Sequence, residues 1–191
     1  MDFIEGLPRS GSADCLLVVV DRFSKYAHFI PLSHPFSAPQ VAQAFFDNIY
    51  RLHGLPTHII SDRDKIFTSL FWRELFRLSH TTLAMSSAYH PQTDDQTERV
   101  NQCLETFLRC FVSSCPRKWI KYVTLAEFWY NTSHHSSINM TPFEVLYGIL
   151  LAISVSLLIL YQLLPKWMPC WASVPRCCLR CVNTFSGPSN A

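Results

Sequence analysis

The end of this sequence is marked by what it lacks. Residues 149–191 contain no aspartate or glutamate, and no histidine follows His135. The chain also lacks the basic surplus of a polyanion binder, since its formal net charge is only +2. Even that small excess sits in the tail, as Lys166, Arg176 and Arg180. Residues 1–148 hold the other 13 Lys and Arg against all 14 acids. A nucleic-acid partner therefore has to be argued from a site and not from bulk charge. No secretory signal peptide opens the sequence, so a disulfide framework is not the expected use of its eight cysteines. Cys15, Cys103, Cys110 and Cys115 are scattered and read as buried free thiols. Cys170, Cys177, Cys178 and Cys181 crowd together, but only Cys178 and Cys181 form a C-x-x-C. Without a second Cys/His pair at ligand spacing, that cluster does not make a zinc site.

What is present is a chain that can fold. It is 49% hydrophobic and 16% charged, enough for one core with an appendage. "CLLVVV" (15–20) is an apolar, β-branched run that reads as a buried strand, and "YAHFIPL" (26–32) alternates and follows closely enough to pair with it as a hairpin. "SAPQVAQAFFDNIYRLHG" carries helix signals: Ser37 as N-cap, Pro39 in the first turn and Gly54 at the end. Its apolar positions Val41, Ala44, Phe45, Ile49 and Leu52 recur at helical spacing. "THII" (57–60) is a short strand, Ser69–His80 a helix with Leu70, Leu75, Phe76 and Leu78 inward, and "TTLAMSS" a further strand. With Asp2–Ile4 as the first strand, the order β-β-β-α-β-α-β-α suggests a mixed sheet covered by helices. A long helix from about Gln96 to Val112 follows, with Val100, Leu104, Phe107, Leu108 and Phe111 as its core stripe. Glu98 lies about 200° around that helix from Val100 and so points away from the core's centre.

The strand "THII" runs directly into "SDRDK" (61–65), four charges in a row after Ser61. Such a run is either a solvated turn or the place where an aspartate is held at a strand end to bind a cation. Asp2, Asp62 and Glu98 all stand at the ends or edges of expected elements. Two divalent cations about 3.5–4 Å apart need several carboxylate oxygens converging from rigid elements, because hard cations prefer anionic oxygen. Spacing alone does not choose this triple from 14 acids.

A resemblance does choose it. "MDFIEGLP", "LVVVDRFSKYAHFIPL", "RLHGLPTHIISDRDKIFTSLFW", "AYHPQTDDQTERVNQCLETFLRCF" and "EFWYNTSHHSSINMTPFEVLYG" resemble the integrase catalytic core of gypsy-type LTR retrotransposons, over residues 1–148. The resemblance implies a ribonuclease-H-like α/β fold, a mixed five-stranded sheet flanked by helices; after it the apolar composition of this chain suggests a disordered or hydrophobic tail. It also implies a D,D-35-E triad: Asp2, Asp62 and Glu98, with 35 residues between the last two. These would be both the catalytic residues and the ligands of two Mg²⁺ or Mn²⁺ ions, Asp64 being a turn residue. The implied chemistry is 3′-end processing and strand transfer of DNA by in-line phosphoryl displacement. His90, Gln92, Arg99 and Gln102 would line the DNA side of the loop and helix. DNA, other copies of the chain in a multimer, and a nuclear location follow from the same resemblance. His134 and His135 read as surface or capping residues.

Other features set alternatives beside that expectation. Asp2 lies one residue from the start, which reads as a core truncated at its N-terminus. "TDDQTE" puts Asp95 where the family has glycine. Residues 149–191 read as an aberrant tail: back-translating "KWMPCWA" (166–172) and shifting the frame gives [MV]-D-A-[LMV]-L-G, a helix-compatible string. These features are compatible with an inactive relic or a non-catalytic DNA- or protein-binding module of the same fold. Val145–Pro165 carries no charge and is long enough to span a bilayer, which would make the chain membrane-associated and not nuclear or cytoplasmic.

Overall fold

The computed structural model of the chain describes residues 1–62, 64–85, 95–112 and 115–149. The chain divides into two compact units, Met1–Val20 with His28–Gln102, and Asp21–Ala27 with Cys103–Ala191.

The first unit holds five strands: β1 (Asp2–Ile4), β2 (Cys15–Val20), β3 (Ala27–Leu32), β4 (His58–Ser61) and β5 (Thr82–Met85). β1, β2 and β3 form one ladder in that order, and β4 and β5 form another. β1 runs antiparallel to β2 with Asp2 opposite Val18, while β4 runs parallel to β5 with Ser61 opposite Met85. The Met1 ammonium donates to the Ile60 carbonyl at 2.7 Å, so a hydrogen bond joins the start of β1 to β4. Parallel β4 and β5 need a crossover, which helix α3 (Leu70–Leu78) supplies. The expected order of strands and helices is the order observed.

Helix α1 (Ala38–Phe45) starts at Ser37, whose backbone N–H donates to Gln40 Oε1 at 2.8 Å. The sequence reading ran one regular helix through to Gly54. The structure instead widens to a π-turn at Phe46–Tyr50 and closes with a short turn, α2 (Arg51–His53), before Gly54 at φ 77°. Extra residues in a π-turn rotate everything after them off the α-helical stripe. Phe45 and Ile49 stay buried, but Leu52, expected inward, is 54% exposed.

Helix α3 also turns differently from expectation. Ser69 caps it, accepting from the Trp72 N–H. Its buried residues are Trp72 and Phe76, with Leu75 packed at their edge, while Leu70 and Leu78 are exposed. In nine residues the i, i+3, i+4 face set by Trp72 places positions 70 and 78 on the opposite side. Trp72 stands 6.3 Å from Phe45, 5.7 Å from Phe67 and 4.9 Å from Phe76 between ring centroids. This aromatic group joins α1 and α3 in the core beneath the sheet strands. Such pairs add to the burial of the large side chains themselves.

The second unit is built on helix α4 (Asp95–Val112), whose later part belongs to it, with α5 (Ile120–Thr132) and α6 (Pro142–Tyr147). On α4, Val100, Leu104, Phe107 and Leu108 are buried as expected, joined by Val112, with Phe111 half-buried. Phe107 stacks on Trp129 of α5 at 4.9 Å. The turn Asp21–Ala27 is fixed to α5 by Asn131, which accepts from the Ala27 N–H and donates to the Ala27 carbonyl, both at 2.8 Å. α6 has a reciprocal cap between Thr141 and Glu144. It ends at Gly148 in the left-handed region, φ 68°.

That ending bears on the membrane alternative. Val145–Tyr147 close α6 and do not open a longer helix; the rest of the run to Pro165 lies outside the described residues, as does the tail cysteine cluster. Among the described residues, no helix is long and apolar enough to cross a membrane. Cys15, Cys103 and Cys115 are free thiols, as expected. Cys110 departs from that reading, being disulfide-bonded. Burial pushes the Cys15 thiol up to about 12, which favours its protonated form.

Candidate metal centre

Three elements of the first unit carry the candidate acids. Asp2 opens β1, Asp62 follows the last residue of β4, and Glu98 stands in the first turn of α4. The Met1–Ile60 hydrogen bond sets the residue before Asp2 beside the residue two before Asp62. Both aspartates are half-buried. The run of charges after Ser61 divides its labour. Asp64 is a turn residue, its carboxylate accepting from the Ile66 N–H at 2.7 Å and its carbonyl from the Thr68 N–H at 3.0 Å. Asp62 only weakly joins that turn, with the Asp64 N–H at 3.4 Å from its Oδ1.

The contact that organises the site was not anticipated. Asn101 Nδ2 donates to Asp2 Oδ2 at 2.6 Å, and the other carboxylate oxygen accepts from the Phe3 N–H at 2.8 Å. A charge-assisted hydrogen bond this short holds the carboxylate in one orientation. Facing a carboxylate, the amide must turn its nitrogen inward, because Oδ1 would be repelled. Asn101 Oδ1 is therefore left buried, and it has no hydrogen-bond partner among the described residues. An orphaned buried acceptor costs about 1–3 kcal/mol, and a cation or a donor would relieve it. Asn101 lies three residues after Glu98, so the two share a helix face. The signal available in the sequence was this i, i+3 spacing.

The donor set suits a hard divalent cation: carboxylate oxygens on two strand ends, and an unsatisfied amide oxygen beside one of them. The structure brings Asp2 and Asn101 together and leaves Glu98 exposed one turn away. Among the described residues, no group of three His, Cys, Asp or Glu side chains gathers at metal-holding distance. Arg99 and Gln102 are exposed on the same sector of α4 as Glu98. Asp95 opens α4. His90 and Gln92 lie outside the described residues. The His134–His135 pair holds no metal cluster among the described residues. His134 is exposed, and His135 Nδ1 lies 3.0 Å from the Ser137 hydroxyl.

Comparison with known proteins gives this geometry a context. No family model matches the chain. The Transposon Tf2-3 and Tf2-4 polyproteins of Schizosaccharomyces pombe are each 42% identical to it over 147 residues, 77% of the chain. The fold is similar to the catalytic core domain of HTLV-2 integrase in complex with magnesium, with TM-score 0.59, 19% identity and 75% of this chain matched to 92% of that one. It is similar also to the catalytic core domain of BIV integrase, with TM-score 0.57, 22% identity, and 75% and 91% covered. The chain belongs with the Tf2 retrotransposon polyproteins. Its fold is the ribonuclease-H-like fold of the integrase core. This retrotransposon chain matches only 11% of the length of the polyproteins it resembles.

Asn101→Asp tests the orientation of Asp2. A second carboxylate against Asp2 Oδ2 replaces an attraction by a repulsion. The variant is expected to lose about 1–3 kcal/mol of stability without divalent cations and to regain more on adding Mg²⁺ than the wild type gains. Equal melting curves for the two proteins in chelator would contradict the contact.

Proposed function

We propose that this chain is the catalytic core of a gypsy-type retrotransposon integrase, joining element DNA to target DNA. The reading rests on one observation above the others: Asp2 is held by Asn101 of α4, whose buried Oδ1 has no partner among the described residues, and the residue before Asp2 is hydrogen-bonded to Ile60 of β4.

In this reading Asp2 and Asp62 would hold one of two Mg²⁺ or Mn²⁺ ions, and Glu98 would contribute to holding the second. The cations supply Lewis-acid stabilisation of the scissile phosphodiester and ease deprotonation of the attacking hydroxyl. The chain's own residues do the positioning. Asn101 fixes the direction of the Asp2 carboxylate, and the strand ends fix the two aspartates. Arg99 and Gln102, with His90 and Gln92, contact the DNA and align the phosphate for in-line attack. First a water, then the freed 3′-hydroxyl, acts as the nucleophile. A multimer of this chain holds two DNA ends, and the site of action is the nucleus. The solved relatives include a simian T-cell lymphotropic virus intasome, TM-score 0.63 at 18% identity, and dimeric and trimeric forms of the HTLV-2 core.

The test is a disintegration assay, in which a branched DNA substrate is resolved by the core in Mg²⁺ or Mn²⁺. Resolution that needs the cation and is lost in Glu98→Gln supports the reading. Tight binding of the same DNA with no resolution by wild type under either metal would favour the non-catalytic module instead.

The boundary of the core is proposed at Gly148, with 149–191 a tail of no catalytic role whose reading frame has shifted. Truncation after Gly148 is expected to raise solubility and leave the melting temperature of the core unchanged. Loss of folding on truncation would overturn that boundary.

A further inference from the structure

The sequence contains no aspartate or glutamate between Glu105 and Glu127, but it does contain Arg109, Arg117, Lys118 and Lys121. Arg109 is engaged, its guanidinium 3.3 Å from Glu105. The other three are gathered by the local fold of the second unit. Cys115 leads into a 3₁₀ turn, Pro116–Lys118, closed by the Lys118 N–H on the Cys115 carbonyl at 3.0 Å, and α5 follows at once. Trp119, 1% exposed, anchors the junction, and Tyr122, Val123 and Ala126 continue the inward stripe. The outward positions are then Arg117, Lys118 and Lys121, at i, i+1 and i+4. All three are exposed, and none has a side-chain partner among the described residues.

This arrangement works against the helix. Lys121 lies three and four residues from Lys118 and Arg117, and like charges at those spacings weaken a helix. No acid sits in the first turn of α5 to offset them. Three cations held on one rigid face, with no local acid, present the electrostatic footprint of a polyanion site. The near-neutral charge of the whole chain makes the local concentration more specific.

We infer that Arg117, Lys118 and Lys121 form a phosphate-backbone contact surface for double-stranded DNA, separate from the acids of the first unit. The inference rests on the integrase reading for its choice of DNA, and it adds a positioning surface on the second unit that the triad does not include. A duplex supplies regularly spaced phosphates without needing a groove or a base-specific contact. Each phosphate neutralised releases condensed counterion, so the surface should appear in the salt dependence of binding.

The experiment measures binding of the 191-residue chain to a fluorescent blunt duplex by anisotropy, in chelator, between 50 and 200 mM salt. It compares wild type, the three single glutamine variants, Arg117→Gln/Lys118→Gln/Lys121→Gln together, and Arg73→Gln on α3 as a charge-matched control. Each single variant should reduce the slope of log K against log salt by about 0.9, and the triple variant by between two and three. The control should lose less than any of them. The triple variant should melt no lower than wild type, because its like-charge contacts are gone. A triple variant with the wild-type slope, or a wild type that shows no duplex binding, would overturn the surface. So would equal losses in the control and the triple variant; an acidic protein partner would then be the better reading of these cations. Catalysis is read separately in the disintegration assay. A chain that resolves no branched DNA yet shows the slope change keeps this surface and loses the integrase reading.

Discussion

Asp62→Asn is expected to abolish both the activity and most of the metal response of this chain. Removing a ligand's charge should cost more than the roughly 10–100-fold typical of losing a ligand's hydrogen-bonding partner. In the proposed site the carboxylates of Asp2 and Asp62 would repel one another, and a bound cation would relieve the repulsion. Mg²⁺ or Mn²⁺ should therefore raise the melting temperature of the wild type, and the asparagine variant should show little of that rise. The amide is close to isosteric and can still accept the Asp64 N–H through its oxygen, so the variant should fold. Its melting temperature in chelator should equal or exceed that of the wild type. Equal stabilisation of the two proteins by metal would remove Asp62 from the site.

The largest purely structural effect is expected at Asn131. This side chain is 2% exposed and satisfies both the N–H and the carbonyl of Ala27, which is itself fully buried. Asn131→Leu keeps the number and branching of the side-chain heavy atoms but leaves two backbone groups orphaned in the interior. At about 1–3 kcal/mol for each unsatisfied group, the loss should be about 2–6 kcal/mol, a large share of the ~5–15 kcal/mol that holds a domain together. Urea denaturation followed by tryptophan fluorescence would read it. A loss below about 1 kcal/mol would mean that water or a rearranged turn takes over both bonds.

These two residues mark the division between what the sequence shows and what it hides. Strand and helix order was legible because it depends on local signals: the β-branched run at 15–20, the Ser37 and Ser69 caps, the glycine at 54. The proposal of the acids at 2, 62 and 98 comes from resemblance alone, since many triples among 14 acids have plausible spacing. Asn131 and Asn101 were not legible as keystones. Their partners lie 104 and 99 residues away, and nothing local distinguishes a buried asparagine with two backbone bonds from one on a helix surface. The inward face of α3 was misjudged for a related reason. Leucines at 70 and 78 satisfy a hydrophobic pattern, but the core selects the face that carries Trp72 and Phe76. The π-turn at 46–50 was invisible because it changes the helical repeat without changing the composition.

The measurement that reaches the central claim most directly is anomalous diffraction from crystals of the chain soaked in Mn²⁺. The account predicts an anomalous peak within about 2.0–2.3 Å of carboxylate oxygens of both Asp2 and Asp62, the range expected for hard divalent cations on oxygen. Asn101 should stay hydrogen-bonded to Asp2. A map at saturating Mn²⁺ with no peak at these two carboxylates, or with its strongest peak held by other residues, would contradict it.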